Sequence, residues 1–167
     1  MKHLIKIFLF LGIVTAQAQS KNQLQLTLQG FLPIEINAPN LPLDQLMELS
    51  KSWAPYFNKN GYDVSEVTTN SMVIDAKYEN AYYYYNVGVK YNCDIRYSLK
   101  IVFTEDRKCQ MKLTVKEIYA GNVLTKTTIA DFFTSDGNVK DDFSDAKPSL
   151  ENSVNRIFKS YANFISR

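Results

Sequence analysis

The chain has 167 residues, with 19 basic and 17 acidic side chains and a single histidine, His3. A chain of this length is expected to form one domain with a hydrophobic core. The near balance of charge excludes the basic footprint that nucleic-acid-binding proteins normally carry, so we expect no nucleic-acid partner.

The first residues have the pattern of a secretory signal peptide. Lys2, His3 and Lys6 precede an apolar run at 7–14, and Ala16 and Ala18 follow at the small-residue positions of a cleavage site. The run is far shorter than the ~20 apolar residues of a membrane-spanning helix. We therefore expect cleavage after Ala18, no transmembrane segment in the mature chain, and a soluble protein in the periplasm or outside the cell.

Loss of residues 1–18 removes His3 and leaves 17 basic side chains (19 minus 2) against 17 acidic ones. Without histidine the mature chain cannot form a Ser-His-Asp or Cys-His nucleophile, or a histidine-ligated metal site. The acidic segment 134–147 matches a calcium loop poorly, because its glycine is not at the sixth position and its twelfth residue is not glutamate. We expect no catalytic residue, no cofactor and no metal.

The elements are predicted from the period of the apolar residues. A short strand or arm occupies 19–33, and a single domain occupies 34–167, beginning with a short edge strand around Ile34. A helix follows from Leu43 to Phe57, with Trp53 in the core and a kink or end at Pro55. Residues 62–68 and 72–78 then form a hairpin, and a helix capped by Ser149 behind Pro148 closes the chain.

The clearest strands are predicted between Tyr91 and Tyr119. Apolar residues alternate at odd positions from Tyr91 to Phe103, and again from Cys109 to Val115, with Tyr119 also facing inward. We predict a three-residue loop at 106–108 that sets Lys100 opposite Thr114, because the shorter pairing would oppose two lysines, Lys100 and Lys112. The hairpin holds Cys93 and Cys109 at opposite ends, so both should be buried, reduced thiols.

The same odd parity extends backward through the tyrosine run at 82–85. A straight strand from Tyr83 to Phe103 would be ~66 Å long, too long for a small domain, so it should turn or bend near Gly88. A second irregularity is expected near Glu79 and Asn80. The parity predicts that Tyr83 and Tyr85 are buried, while a polar sheet face carries a ligand site formed by Tyr82, Tyr84, Asn86, Lys90, Arg96 and Lys100.

The expected fold class is α+β: an antiparallel sheet with two amphipathic helices packed on one face. The segments that carry a family resemblance are Leu43–Phe57, Met72–Tyr78, Tyr97–Ile101 and Cys109–Glu117. They resemble an exported bacterial domain of unknown function described as having a TATA-binding-protein-like fold, over roughly Ile34 to Ile165. Asp75, Ala76 and Lys77 stand where that family has a glycine-containing pattern. The resemblance implies a fold and supplies no catalytic residues.

These observations favour a non-enzymatic exported binding or envelope-associated module, whose partner would be an envelope glycan or peptide. Two alternatives are a glycan-acting hydrolase with paired carboxylates, such as Asp141 and Asp142, and an assembly subunit that pairs through a sheet edge.

Overall fold

The structure, a computed structural model, describes residues 23–167; the predicted signal peptide lies outside the described residues. The strands are β1 (Leu26–Thr27), β2 (Gly30–Phe31), β3 (Ile34–Asn37), β4 (Tyr62–Ser65), β5 (Ser71–Asn86), β6 (Val89–Phe103), β7 (Lys108–Ala120) and β8 (Val123–Leu124). The helices are α1 (Leu43–Phe57) and α2 (Ala146–Ile165), and two short 3-10 helices cover Ile129–Phe132 and Asp141–Phe143.

The main sheet is antiparallel, with strand order β3-β7-β6-β5-β4, and β8 pairs with the far end of β7. Both helices pack on one face of this sheet, which confirms the predicted two-layer α+β fold. The predicted edge strand around Ile34 is β3, which pairs with β7. The arm before it also joins the core, since Leu24, Leu26 and Phe31 are buried and the backbone N–H of Leu24 donates to Asn155 Oδ1 of α2.

The two helices follow the predicted apolar periodicity. Helix α1 buries Leu46, Met47 and Trp53 and continues through Pro55 for two more residues, because a proline in the last turn removes only one backbone hydrogen bond. Helix α2 begins at Ala146, earlier than predicted. Ser149 is therefore inside the first turns, where its hydroxyl donates to the Asp145 carbonyl at 2.7 Å, and it is not the cap.

The core between sheet and helices combines aromatic packing with a few paired polar groups. The Trp53 ring meets the Tyr161 ring edge-on at a centroid distance of 5.3 Å, and both side chains are fully buried. Tyr161 and Ser50 share a hydrogen bond of 2.7 Å, and the Tyr97 hydroxyl donates to Asn58 Oδ1 at 2.6 Å. Every buried side-chain donor or acceptor of the described residues has such a partner.

The β6–β7 hairpin has a different register from the prediction. Lys100 pairs with Lys112, and Phe103 pairs with Cys109. The loop has three residues, as expected, but they are 105–107: the Thr104 N–H donates to the Lys108 carbonyl at 2.9 Å. Arg107 takes a left-handed conformation with φ of 59° to close this loop. Local turn geometry thus outweighs the repulsion between two exposed lysines, and the prediction of Lys100 opposite Thr114 is wrong.

A β-bulge interrupts β7 where Arg96 pairs with Glu117 while Tyr97 pairs with Val115. The extra residue reverses the parity of the strand beyond it. Ile118 is consequently buried, and Tyr119, which the alternation placed inward, lies on the polar face.

The β5–β6 hairpin turns at Val87 and Gly88, close to the predicted position, and β5 has the predicted irregularity between Tyr78 and Tyr82. The turn contains two residues, so even positions of β5 pair with odd positions of β6. The prediction extended the odd parity of β6 across the turn and therefore assigned each tyrosine at 82–85 to the opposite face of the sheet. Tyr82 is only 2% exposed on the helix side, whereas Tyr85 is 49% exposed.

Cys93 and Cys109 are both buried and unpaired, as predicted. Cys93 pairs with Ala120 at one end of the β6–β7 ladder, and Cys109 pairs with Phe103 at the other. Burial raises the pKa of the Cys109 thiol to about 12.

Candidate functional site

The candidate site is the polar face of the sheet, on the side opposite the helices. The predicted ligand residues divide between the two faces. Arg96, Lys100 and Lys90 lie on the polar face, with Lys90 paired to Tyr85 at the hairpin end. Tyr82, Tyr84 and Asn86 pair with residues of the helix side instead.

Tyr82 and Tyr84, which the sequence assigned to the polar face, pack against other aromatic side chains instead. The Tyr82 ring contacts Phe132 edge-on at a centroid distance of 5.3 Å, and Tyr84 stacks on Tyr91 at 5.4 Å. Burial raises the pKa of the Tyr82 hydroxyl far above its ordinary value. The tyrosine that does accompany a polar-face lysine is Tyr83, whose ring centroid is 3.9 Å from Lys90 Nζ.

Most charges on the polar face are paired. Lys77 Nζ is 3.0 Å from Asp94 Oδ2, and this hydrogen bond raises the pKa of Lys77. Elsewhere on the face, Arg96 Nη1 is 3.5 Å from Glu117 Oε2. At the β3 edge, Lys108 Nζ is 3.5 Å from Glu35 Oε1. These contacts leave little net charge at either end of the face.

The centre of the face differs because Lys100 and Lys112 are directly opposite each other and both are exposed. Among the described residues neither ammonium group has a carboxylate within salt-bridge distance. The nearest acid across the ladder, Asp75, accepts a hydrogen bond from Ser98. Two cations side by side without a counter-ion form a local site of positive potential.

A cleft of about 350 Å³ adjoins this lysine pair at the edge of β7. Strand β3 pairs only with 108–111 and β8 only with 119–120, so the intervening part of β7 forms the floor of the cleft. Residues 28–31 form one wall and residues 127–130 the other. The polar side chains around it are Gln29, Lys112, Thr114, Lys116, Glu117, Thr127 and Thr128.

No pattern in the sequence indicated that segments 28–31 and 127–130 would border this site. They are almost 100 residues apart in the chain, and both lie against residues 112–118 of β7. After β7 the chain forms only the short strand β8 and then the 3-10 helix Ile129–Phe132. The Asp131 carboxylate accepts hydrogen bonds from the Thr128 backbone and hydroxyl, which lowers its pKa.

The carboxylates considered for glycan hydrolysis, Asp141 and Asp142, are exposed on a 3-10 turn and do not line the cleft beside β7. In the described part of the chain, no group of three or more His, Cys, Asp or Glu side chains is arranged to hold a metal ion. Within 23–167, neither helix is both long and apolar enough to cross a membrane.

Comparison with known proteins places the fold. No protein-family model and no curated protein matches the chain. A TBP-like protein from Parabacteroides distasonis superposes with a TM-score of 0.53 and 12% sequence identity, over 81% of this chain and 92% of the other. A DUF4468 family protein from Bacteroides ovatus does so with a TM-score of 0.54 and 10% identity, over 81% and 85%. The chain therefore has the TATA-binding-protein-like fold that the sequence resemblance implied.

Proposed function

We propose that the protein is a non-enzymatic exported binding module whose polar sheet face binds an anionic group at Lys100 and Lys112. The observation that carries the proposal is the direct opposition of these two lysines with no acidic partner among residues 23–167. Like charges placed opposite each other destabilise a sheet. Sites where a local rule of stability is broken without compensation are frequently functional sites.

The cleft at the β7 edge supports the proposal by giving the lysine pair a concave neighbour. Lys112 lines the cleft, and the hydroxyls of Thr114, Thr127 and Thr128 lie around it. A carboxylate or phosphate held by Lys100 and Lys112 would thus leave the rest of its molecule beside a polar, partly enclosed surface. Hydroxyl groups in such a setting suit sugar or peptide groups as hydrogen-bond partners.

The non-enzymatic part of the proposal rests on the sequence. The only histidine, His3, precedes the expected cleavage site, and the remaining classes of catalysis need carboxylate pairs, lysine or tyrosine in a cleft. Export rests on the pattern of residues 1–18. An envelope glycan or peptide is the partner that this location and this charge favour.

Isothermal titration calorimetry with two soluble probes tests the proposal. The probes are a hexaglutamate peptide and an oligosaccharide of galacturonic acid. Both carry carboxylates, on a peptide and on a sugar backbone respectively. We expect wild-type protein to bind at least one of them, more weakly as salt rises. The double variant Lys100→Gln/Lys112→Gln should lose roughly tenfold or more in affinity, since each exposed ion pair contributes about 1 kcal/mol.

The matched control is Lys51→Gln, which removes a partly exposed lysine of α1 whose ammonium is 2.7 Å from Glu48 Oε1. This variant should bind like wild type. Absence of binding to both probes, or equal binding by the double variant, would refute the anion site. Release of shorter sugars from the oligosaccharide would refute the non-enzymatic role.

A further inference from the structure

The tip of the β5–β6 hairpin exposes apolar side chains. At the turn, Val87 is 95% exposed and Val89 is 54% exposed. Tyr85 and Tyr91 follow at 49% and 41%. The β6–β7 ladder ends at Cys93, so this tip extends beyond the neighbouring strand on that side. It is a narrow, convex projection.

Val87 is in a backbone conformation that valine rarely adopts. Its φ is 48°, and Gly88 follows with φ of 75°, so both residues of the two-residue turn are left-handed. Such turns favour Asn-Gly or Asp-Gly, and a β-branched residue there is an outlier. Because Val87 is almost fully exposed, it gains no packing contact that would offset the strain. The position thus holds an apolar side chain where turn geometry favours a polar one.

The tip contains a single charged side chain, and it is basic. Of the five residues on either side of the turn, only Lys90 is charged. The remaining side chains of these ten positions are tyrosines, asparagines, Val89 and Cys93. The exposed acids Asp141 and Asp142 belong to a 3-10 helix whose Phe143 contacts Tyr84, three residues before Val87, so these acids lie behind the extremity of the hairpin. Among the ten residues that flank the turn, the charge that a negatively charged surface would meet is therefore that of Lys90.

We propose that this hairpin tip inserts reversibly into the interface of a lipid bilayer. The order of side chains along the hairpin fits the order of layers in that interface. Val87 is at the extremity, Tyr85 and Lys90 are two residues or ~7 Å behind the turn, and Tyr84 and Tyr91 are ~10 Å behind it. Amphipathic elements bury themselves ~5–10 Å into the headgroup region, where tyrosine rings are enriched and lysines meet lipid phosphates.

A lipid surface fits this tip better than a folded protein does. A fluid interface accepts a convex apolar projection without a preformed pocket, and binding needs no shape complementarity. The contact is small, so the association should be weak and reversible. The inference is independent of the anion site, because Lys100 and Lys112 lie farther along the sheet and are not part of the tip.

Vesicle binding by the chain from Gln19 onward tests the inference. This form lacks the apolar run at 7–14 and retains every residue of the described structure. We expect it to sediment with vesicles of phosphatidylethanolamine and phosphatidylglycerol, and more weakly with phosphatidylcholine. Val87→Asn should keep the turn, because asparagine suits its left-handed backbone, and should lower the partition coefficient about tenfold or more.

The control is Val123→Asn, which changes a valine that is 70% exposed beside the β7–β8 turn. It should bind vesicles like wild type. In a third variant, Val87→Trp, the added indole should show a blue-shifted emission when vesicles are present, while the buried Trp53 provides a constant background.

Several outcomes would overturn the inference. The inference is wrong if wild-type protein does not sediment with either vesicle type. It is also wrong if Val87→Asn binds vesicles as well as wild type does. Loss of vesicle binding only in Lys100→Gln/Lys112→Gln would then assign the vesicle contact to the sheet face. Concentration-dependent dimerisation that Val87→Asn abolishes, without vesicle binding, would show that the tip contacts a second copy of the chain.

Discussion

Lys100 lies directly opposite Lys112 at the centre of the polar sheet face, and no described carboxylate lies within salt-bridge distance of either. Replacing one charge should therefore stabilise the protein. We expect Lys112→Glu to raise the free energy of unfolding by about 0.2–1 kcal/mol, because it converts a repulsive cross-strand pair into an attractive one. Urea denaturation at low salt measures this gain, and high salt should reduce it. A destabilised Lys112→Glu variant would contradict the observed register.

The burial of Tyr82 leads to an asymmetric result within the tyrosine run. Tyr82→Ala should lower the free energy of unfolding by about 3–5 kcal/mol, because it leaves a cavity beside Phe132. Tyr85→Ala should cost less than about 1 kcal/mol, since Tyr85 is half exposed. Thermal and urea denaturation of the two variants decide between this assignment and the reverse one that simple alternation suggested. A larger loss for Tyr85→Ala would favour the reverse assignment.

Two truncations at the interface between the sheet and α2 should lower the free energy of unfolding strongly. Leu99 of β6 and Ile157 of α2 are both fully buried. We expect Leu99→Ala and Ile157→Ala each to lower the free energy of unfolding by about 2–5 kcal/mol. Val123→Ala, at an exposed position, is the control and should change it by less than about 0.5 kcal/mol. Losses below about 1 kcal/mol at both buried sites would contradict the packing of α2 on the sheet.

Alkaline pH should destabilise the fold through groups that are buried in their neutral form. Burial raises the pKa of Cys109 from its ordinary value of 9.0 to about 12, and burial also raises the pKa of Tyr97 and Tyr161. The unfolded chain releases these protons at lower pH than the folded chain does. Stability is thus full below about pH 9 and declines as the pH rises toward 12.

Thiol reactivity gives a second measurement of the same burial. In native protein both cysteines should react slowly with a thiol reagent, and in denaturant without reductant two thiols per chain should react. Cys109→Ala should flatten the alkaline decline of stability. A native protein whose thiols react at once, or a denatured monomer without free thiols, would contradict the hairpin geometry.

The fold was largely predictable because long amphipathic segments dominate it. The alternation from Cys93 to Phe103 and the helical spacing around Trp53 and Ile157 both specify which residues meet in the core. The errors arose where one residue or one turn decides the outcome: Arg107 shifts the β6–β7 loop, and the two-residue turn at Val87 reverses the faces of the tyrosine run.

The candidate site was predictable only in part. Arg96, Lys100 and Lys90 lie on the polar face as expected, because they belong to the strand whose parity was clear. The importance of Lys112 depends on a register that the sequence argued against, and the cleft depends on two segments that are almost 100 residues apart in the chain. The periodicity of apolar residues within one element contains no information about contacts between segments that are distant in the sequence.

The most direct test of the account is a nitrogen-15 amide NMR titration of wild-type protein with the hexaglutamate peptide and the galacturonic acid oligosaccharide. The anion site predicts that, for at least one probe, the largest shift changes cluster around Lys100 and Lys112 and along the walls of the cleft, at 28–31 and 127–130. Those changes should disappear in Lys100→Gln/Lys112→Gln. Titrations with both probes that leave these amides unchanged, or that shift the helix lysines Lys51 and Lys159 instead, would contradict it.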